Sequence, residues 1–201
     1  MPMTRPRKSS QRSSSKTFSS QDGQELIRIA RDAISSSFTH TPLTLDQYLQ
    51  DRFSERQGGF VTLTKQGNLR GCIGYTEPIF PLHETIRRAA RAAAFDDTRF
   101  PPLTEEEFKS VKVEVSVLSV PEKVQGPPSL YPKQFSIGTH GLIIKRGMFQ
   151  GLLLPQVFTE YQASPEQALA MTCQKAGLPE DAWQQEETEL YTFSAQIFTE
   201  K

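Results

Sequence analysis

The stretch Leu69-Arg70-Gly71-Cys72-Ile73-Gly74 sets a guanidinium two residues from a thiol, in a chain with only two cysteines. In a strand, residues two apart share a face. On that rule Arg70, Cys72 and Gly74 point one way, and Leu69, Gly71, Ile73 and Tyr75 the other. The second set reads as a core face. The first offers a cation, a thiol and a gap. A nearby guanidinium lowers a thiol's pKa and raises its thiolate fraction. Glycines inside a strand, such as Gly71 and Gly74, mark a bulge or a close approach to the backbone. Two readings stay open for Cys72: a reactive or ligand-binding thiol, or a small buried cysteine in a glycine-thinned strand.

A nucleophilic cysteine needs a base. The histidines are His40, His83 and His140. His83 opens an alanine-rich segment, and His140 lies in Gly138-Thr139-His140-Gly141, a loop entering a strand. Either could reach Cys72 in the fold, and each also reads as an exposed or capping residue. His40 reads as loop. A Cys–His–Asp set with Asp97 is conceivable but has no spacing signature. Asp97 and Arg99 flank a turn ahead of Phe100-Pro101-Pro102, where an internal salt bridge is the plain reading. Arg87, Arg88 and Arg91 read as a solvated helix face. Cys173, at helical spacing with Leu169 and Ala176, reads as core. One cysteine and scattered histidines give no metal-ligand spacing. There is no glycine-rich phosphate loop and no nucleophile elbow.

The elements that must position these residues follow from periodicity. Helices are expected at 23–37, 81–95, about 156–161 and 165–176, and Thr104 with Glu107 forms a capping box for a short helix ending near Lys109. Residues 43–58 read as a polar connector anchored by Leu45, Tyr48, Leu49 and Phe53. Strands are expected around 60–63, 69–75, 111–118, 141–146, 148–154 and 189–198, the first two joined by Lys65-Gln66-Gly67-Asn68. In the last strand Leu190, Thr192, Ser194 and Gln196 share one face, and Tyr191, Phe193, Ala195 and Ile197 the other. Strands in hairpins with helices between them predict an α/β (α+β-like) domain with a mixed, largely antiparallel sheet and flanking helices.

The 201 residues suffice for one domain with a sizeable core or two small lobes sharing one. No apolar run is long enough for a membrane helix. Net charge is zero, but residues 1–22 carry Arg5, Arg7, Lys8, Arg12 and Lys16 against Asp22 alone. The remainder is mildly acidic, which argues against a broad nucleic-acid surface. Residues 1–22 read as a disordered, basic, Ser-rich tail and residues 23–201 as the folded domain. The tail overlaps in composition with an organellar transit sequence, which stays open. Two cysteines 101 residues apart form no disulfide framework, so a reducing, cytoplasmic setting is expected.

The hexapeptide Leu69–Gly74 resembles the signature of the AMMECR family, component A of the AmmeMemoRadiSam system. The likeness extends through Gly59–Leu63, Pro81-Leu82, Ala93-Ala94, Asp97–Phe100, Glu114–Leu118, His140–Leu142, Leu153–Val157, Lys175–Leu178 and Trp183. It covers about 23–199. Two departures are Thr98, where the family often has proline, and Tyr161-Gln162-Ala163 in place of a Gly-Trp. The resemblance implies two unequal lobes around a cleft faced by the hexapeptide, and partnership with Memo-like and radical-SAM proteins. It implies no established reaction, and the substrate and cofactor are unknown. On this basis Cys72 is the expected nucleophile or thiolate ligand, assisted by His140 or Asp97. Arg70, Gly71, Ile73, Gly74, Arg99 and Phe100 are the expected binding residues. The alternative is a non-catalytic adaptor that binds a protein through the same cleft.

Overall fold

The computed structural model describes residues 17–200. Most of the expected disordered tail, residues 1–16, lies outside the described residues. Its C-terminal end belongs to the fold instead. Phe18 is buried, 6.0 Å from the Phe53 ring. Helix α1 (Ser20–Thr39) starts a turn earlier than expected because Ser19 caps it. The Ser19 hydroxyl accepts from the Asp22 amide and the Asp22 carboxylate from the Ser19 amide, a complete capping box. The connector holds a short helix, α2 (Gln47–Arg52), capped by Asp46.

Strands β1 (Gly59–Lys65) and β2 (Asn68–Tyr75) form a hairpin whose turn places Gln66 and Gly67 at positive φ. Helix α3 (Leu82–Phe95) follows, then α4 (Glu105–Phe108), β3 (Val111–Leu118) and β4 (Glu122–Lys123). A 3-10 turn at Pro128–Lys133 leads to β5 (His140–Arg146), β6 (Phe149–Leu153), α5 (Pro155–Glu160) and α6 (Pro165–Lys175). A second 3-10 turn, Ala182–Gln184, precedes β7 (Glu189–Thr199). The sheet order is β2-β1-β3-β7-β5-β6, with β4 beside β7, and every pairing is antiparallel.

Strand β7 ties the halves together, pairing through 195–199 with β3 and through 189–194 with β5. Its even-numbered residues meet helices at both ends. Phe198 fills the space above Gly23 of α1, where a Cβ would lie 2.1 Å from the ring. Leu190 packs with Leu142, Ile144, Leu169 and Cys173 under α6. The result is a larger core on α1 and α3 and a smaller one on α6. These are two unequal lobes on a curled antiparallel sheet, as expected. Leu118, Ile143 and Phe193 form a third cluster on the inner face, bordered by Phe60, Leu152 and Leu154.

The strand that carries the hexapeptide is irregular. Leu63 opposes Gly71 and Thr64 opposes Leu69, so Arg70 is an extra, bulged residue. Simple alternation therefore fails at Arg70, and the expected face shared with Cys72 does not exist. Leu69, expected in the core, is 44% exposed. Arg70 turns to Glu107, donating through Nε and Nη2 at 2.9 Å, and to the Pro101 carbonyl at 2.9 Å. Its guanidinium lies 5.7 Å from the Phe100 ring centroid. Lys65 also reaches Glu107, at 3.1 Å. The expected capping box is thus only half formed. The Thr104 hydroxyl accepts from the Glu107 amide, but the Glu107 carboxylate holds Arg70 and Lys65. Gly71 is explained by α3: a Cβ there would sit 2.1 Å from the Ala93 carbonyl oxygen.

Two outcomes follow from this anchoring. Gly71→Ala is expected to destabilise the chain by about 2–3 kcal/mol, because backbone must move to admit the methyl. An unchanged urea midpoint would show that β2 and α3 are not locked there. The Arg70 and Lys65 cations hold the Glu107 carboxyl down at about 2. Its folded-state pKa lies below the ordinary value, so it stabilises above pH 4.5, and that contribution fades as pH falls toward 2. Glu107→Gln should therefore cost about 2–4 kcal/mol at pH 7 and much less near pH 2, read by urea unfolding at both pH values. An equal loss at both would rule out the pair as the source.

Candidate functional site

Strands β2 and β6 are the first and last in the sheet order, yet both line one cleft of about 690 Å³. Cys72, Ile73 and Gly74 of β2 stand on one side, and Gln150, Gly151 and Leu152 of β6 on the other. Phe60 forms part of the floor. Leu154 and Val157 close the α5 side, while Asp96–Arg99 and Lys175 line the rim. The curl of the sheet therefore brings its two free edges to a single opening.

The Cys72 thiol sits in a row across the sheet. Thr62 pairs with Cys72 on one side and with Glu114 on the other. The Thr62 hydroxyl donates to Sγ at 3.3 Å. Burial pushes the thiol pKa up, and the charges of Asp97 and Glu114 push the same way. The Thr62 bond and the Arg99 charge pull it down by less. Cys72 is therefore a neutral thiol at pH 7, not the arginine-activated thiolate that spacing suggests. The bulge removed Arg70 from its side. Arg99, the guanidinium that took that place, is itself paired. Glu114 is half-buried, and burial with the Glu160 charge raises its pKa.

Asp97 is buried and fully engaged. Its carboxylate accepts from the Cys72 amide at 2.9 Å, and from Arg99 through Nε at 2.9 Å and Nη2 at 2.7 Å. These bonds, those to Arg99 foremost, hold its carboxyl well below the usual carboxylate range. Arg99 also donates to the Cys72 carbonyl at 3.2 Å. The pair thus caps both outward backbone groups of Cys72. Asp97 positions the strand edge and has no proton to exchange near neutral pH.

The other expected residues separate. His140 lies opposite Ser194, in line with Leu142 and Ile144 on the helix-covered face, and its Nδ1 accepts from the Ser136 amide at 3.0 Å. It closes its own loop and does not join Cys72, because strand alternation turns it to the wrong side of the sheet. His83 sits in the first turn of α3, with its pKa lowered by burial, and does not line the cleft. No Cys–His–Asp set is assembled. Arg70, Gly71 and Phe100 lie outside the lining, and Phe100 lies 5.5 Å from the Arg99 guanidinium as a support. Ile73, Gly74 and Arg99 do line it. Gly74 is also required by its own neighbour, since a Cβ would fall 2.3 Å from the Phe60 ring. Cys173 is buried in the smaller core, where burial raises its pKa to about 11.

Sequence reasoning missed Thr62 and Glu114, and with them Phe60, Leu152, Leu154 and Lys175. For Glu114 there was a signal: a charged residue on the polar face of a strand central enough to be covered. The others depend on the curl. Among the described residues, no group of three or more His, Cys, Asp or Glu side chains could hold a metal ion, and no helix is long and apolar enough to cross a membrane.

Comparison with known proteins agrees with this architecture. A protein of Methanothermobacter thermautotrophicus is 48% identical over 185 residues, covering 91% of this chain and 96% of the relative. One from Aquifex aeolicus is 42% identical over 182 residues, with 90% and 93% covered. The crystal structure of an uncharacterized Pyrococcus horikoshii protein superposes with a TM-score of 0.87 at 43% identity, covering 92% of this chain and 94% of that one. The AMMECR1 family profile matches residues 27–198, and the chain belongs to that family.

Proposed function

We propose that this chain is a binding protein whose cleft receives a segment of a partner protein, without covalent chemistry at Cys72. One observation carries the reading. Burial, together with the Asp97 and Glu114 charges, keeps the Cys72 thiol in the cleft wall protonated, and no histidine lines the cleft among the described residues. A nucleophilic thiol needs the opposite environment. Memo-like and radical-SAM proteins, which the family likeness brings in, are the partners to try first. Two free cysteines suit a reducing compartment, which supports a cytoplasmic setting as part of this proposal.

The alternative is a thiol-dependent enzyme or enzyme component. Glu114 favours it, because a carboxylate whose pKa is raised by burial is a stronger base, and it lies in line with Thr62 and Cys72. Iodoacetamide alkylation against pH separates the two. The binding reading predicts that Cys72 in the isolated chain reacts more slowly at pH 7 than free cysteine, and slower still with a bound partner. Rapid alkylation at neutral pH, together with loss of cellular function in Cys72→Ser while partner binding persists, would favour the enzyme.

A further inference from the structure

The two walls of the cleft carry unused backbone groups in matching order. The N–H and C=O of Cys72 point away from β1, toward Asp97 and Arg99. Residues two apart on an antiparallel strand turn these groups to the same edge. Gly74 therefore presents its N–H and C=O outward, and no described residue bonds either. Strand β6 is more open. Its hairpin closes at Arg146 and Phe149 around Gly147 and Met148, with Gly147 at φ 59°. A two-residue turn makes that closing pair hydrogen-bonded. Alternation then sends the N–H and C=O of Gln150 and Leu152 outward, again without partners among the described residues.

We propose that the partner segment docks in extended form as an added strand, pairing with Gln150 and Leu152 of β6 and bridging to Gly74 of β2. This rests on the binding reading above and specifies its mode. A polypeptide backbone presents alternating N–H and C=O groups along both of its sides, which is what the two walls require. Alternate side chains of the segment enter the inner face beside Phe60, Leu152 and Leu154, so those positions are apolar. Strand directions alternate across the sheet, so β2 and β6 run oppositely. A segment antiparallel to β6 therefore runs parallel to β2. Asp97 and Arg99 occupy the edge at Cys72 and confine the bridge to the Gly74 end.

The test uses the full chain as bait for phage-displayed random linear peptides. Enriched peptides should carry apolar residues at alternate positions. Synthetic copies should slow hydrogen exchange at the Gln150, Leu152 and Gly74 amides and shield Cys72 from iodoacetamide. Gln150→Pro removes an outward donor and leaves the β5 ladder intact. That variant should weaken binding about tenfold, the weight of one or two backbone hydrogen bonds. N-methylation of the peptide amides that face β6 should do the same on the unmodified chain, which keeps the test valid if the variant misfolds. Peptides that shield Cys72 but bind equally after N-methylation would overturn strand addition and leave the binding cleft standing. So would enriched peptides with helical apolar spacing. Failure to enrich any peptide, with a small molecule retained in the cleft by native mass spectrometry, would overturn both.

Discussion

The three longest helices cover the same side of one antiparallel sheet. Helices α1 and α3 cover one half and α6 the other, with even-numbered β7 residues facing both. The sheet curls over its inner face, and the curl sets its two edge strands on opposite sides of one opening. An exposed edge is a hazard in a folded protein, and charged caps are one way to blunt it. Asp97 and Arg99 do this at Cys72. Gly74, Gln150 and Leu152 are left open, at the mouth of the cleft.

The bulge at Arg70 decides the electrostatics of that cleft. A one-residue shift in a strand exchanges its faces. Without it, Arg70 would stand beside Cys72. With it, the guanidinium is buried on Glu107 and pins the start of β2 to the loop before α4. The close contact of Gly71 with the Ala93 carbonyl holds the same strand against α3. The thiol is left with a hydroxyl, two carboxylates and an arginine already engaged, an environment that keeps its proton in place.

Much of this was legible in the residues. The valines of β3, the two faces of β7, the small-residue face of α3 and the Pro165-to-Gly177 bounds of α6 all follow from period and cap chemistry. Cys173 was readable as core from its helical spacing. The family likeness implied a cleft faced by the hexapeptide, and of its residues Cys72, Ile73 and Gly74 line one. Arg70 was misread because alternation cannot reveal a bulge, although Gly71 signalled that one was permitted. Helix α2 escaped because six residues give too little periodicity, despite Asp46 as a cap. His140 and Asp97 were both candidates in sequence. The pairing of β5 with β7 shows that His140 faces away, and the hydrogen bonds to Asp97 show it committed to Cys72 and Arg99.

Amide hydrogen exchange of the isolated chain reads the open edges of the free molecule directly. The Gly74, Gln150 and Leu152 amides should exchange rapidly. The Cys72 amide, held by Asp97, and the Val115 amide in the sheet interior should exchange slowly. Strong protection at Gly74, Gln150 and Leu152 in the absence of any partner would contradict strand addition there, because the edges would then already be filled.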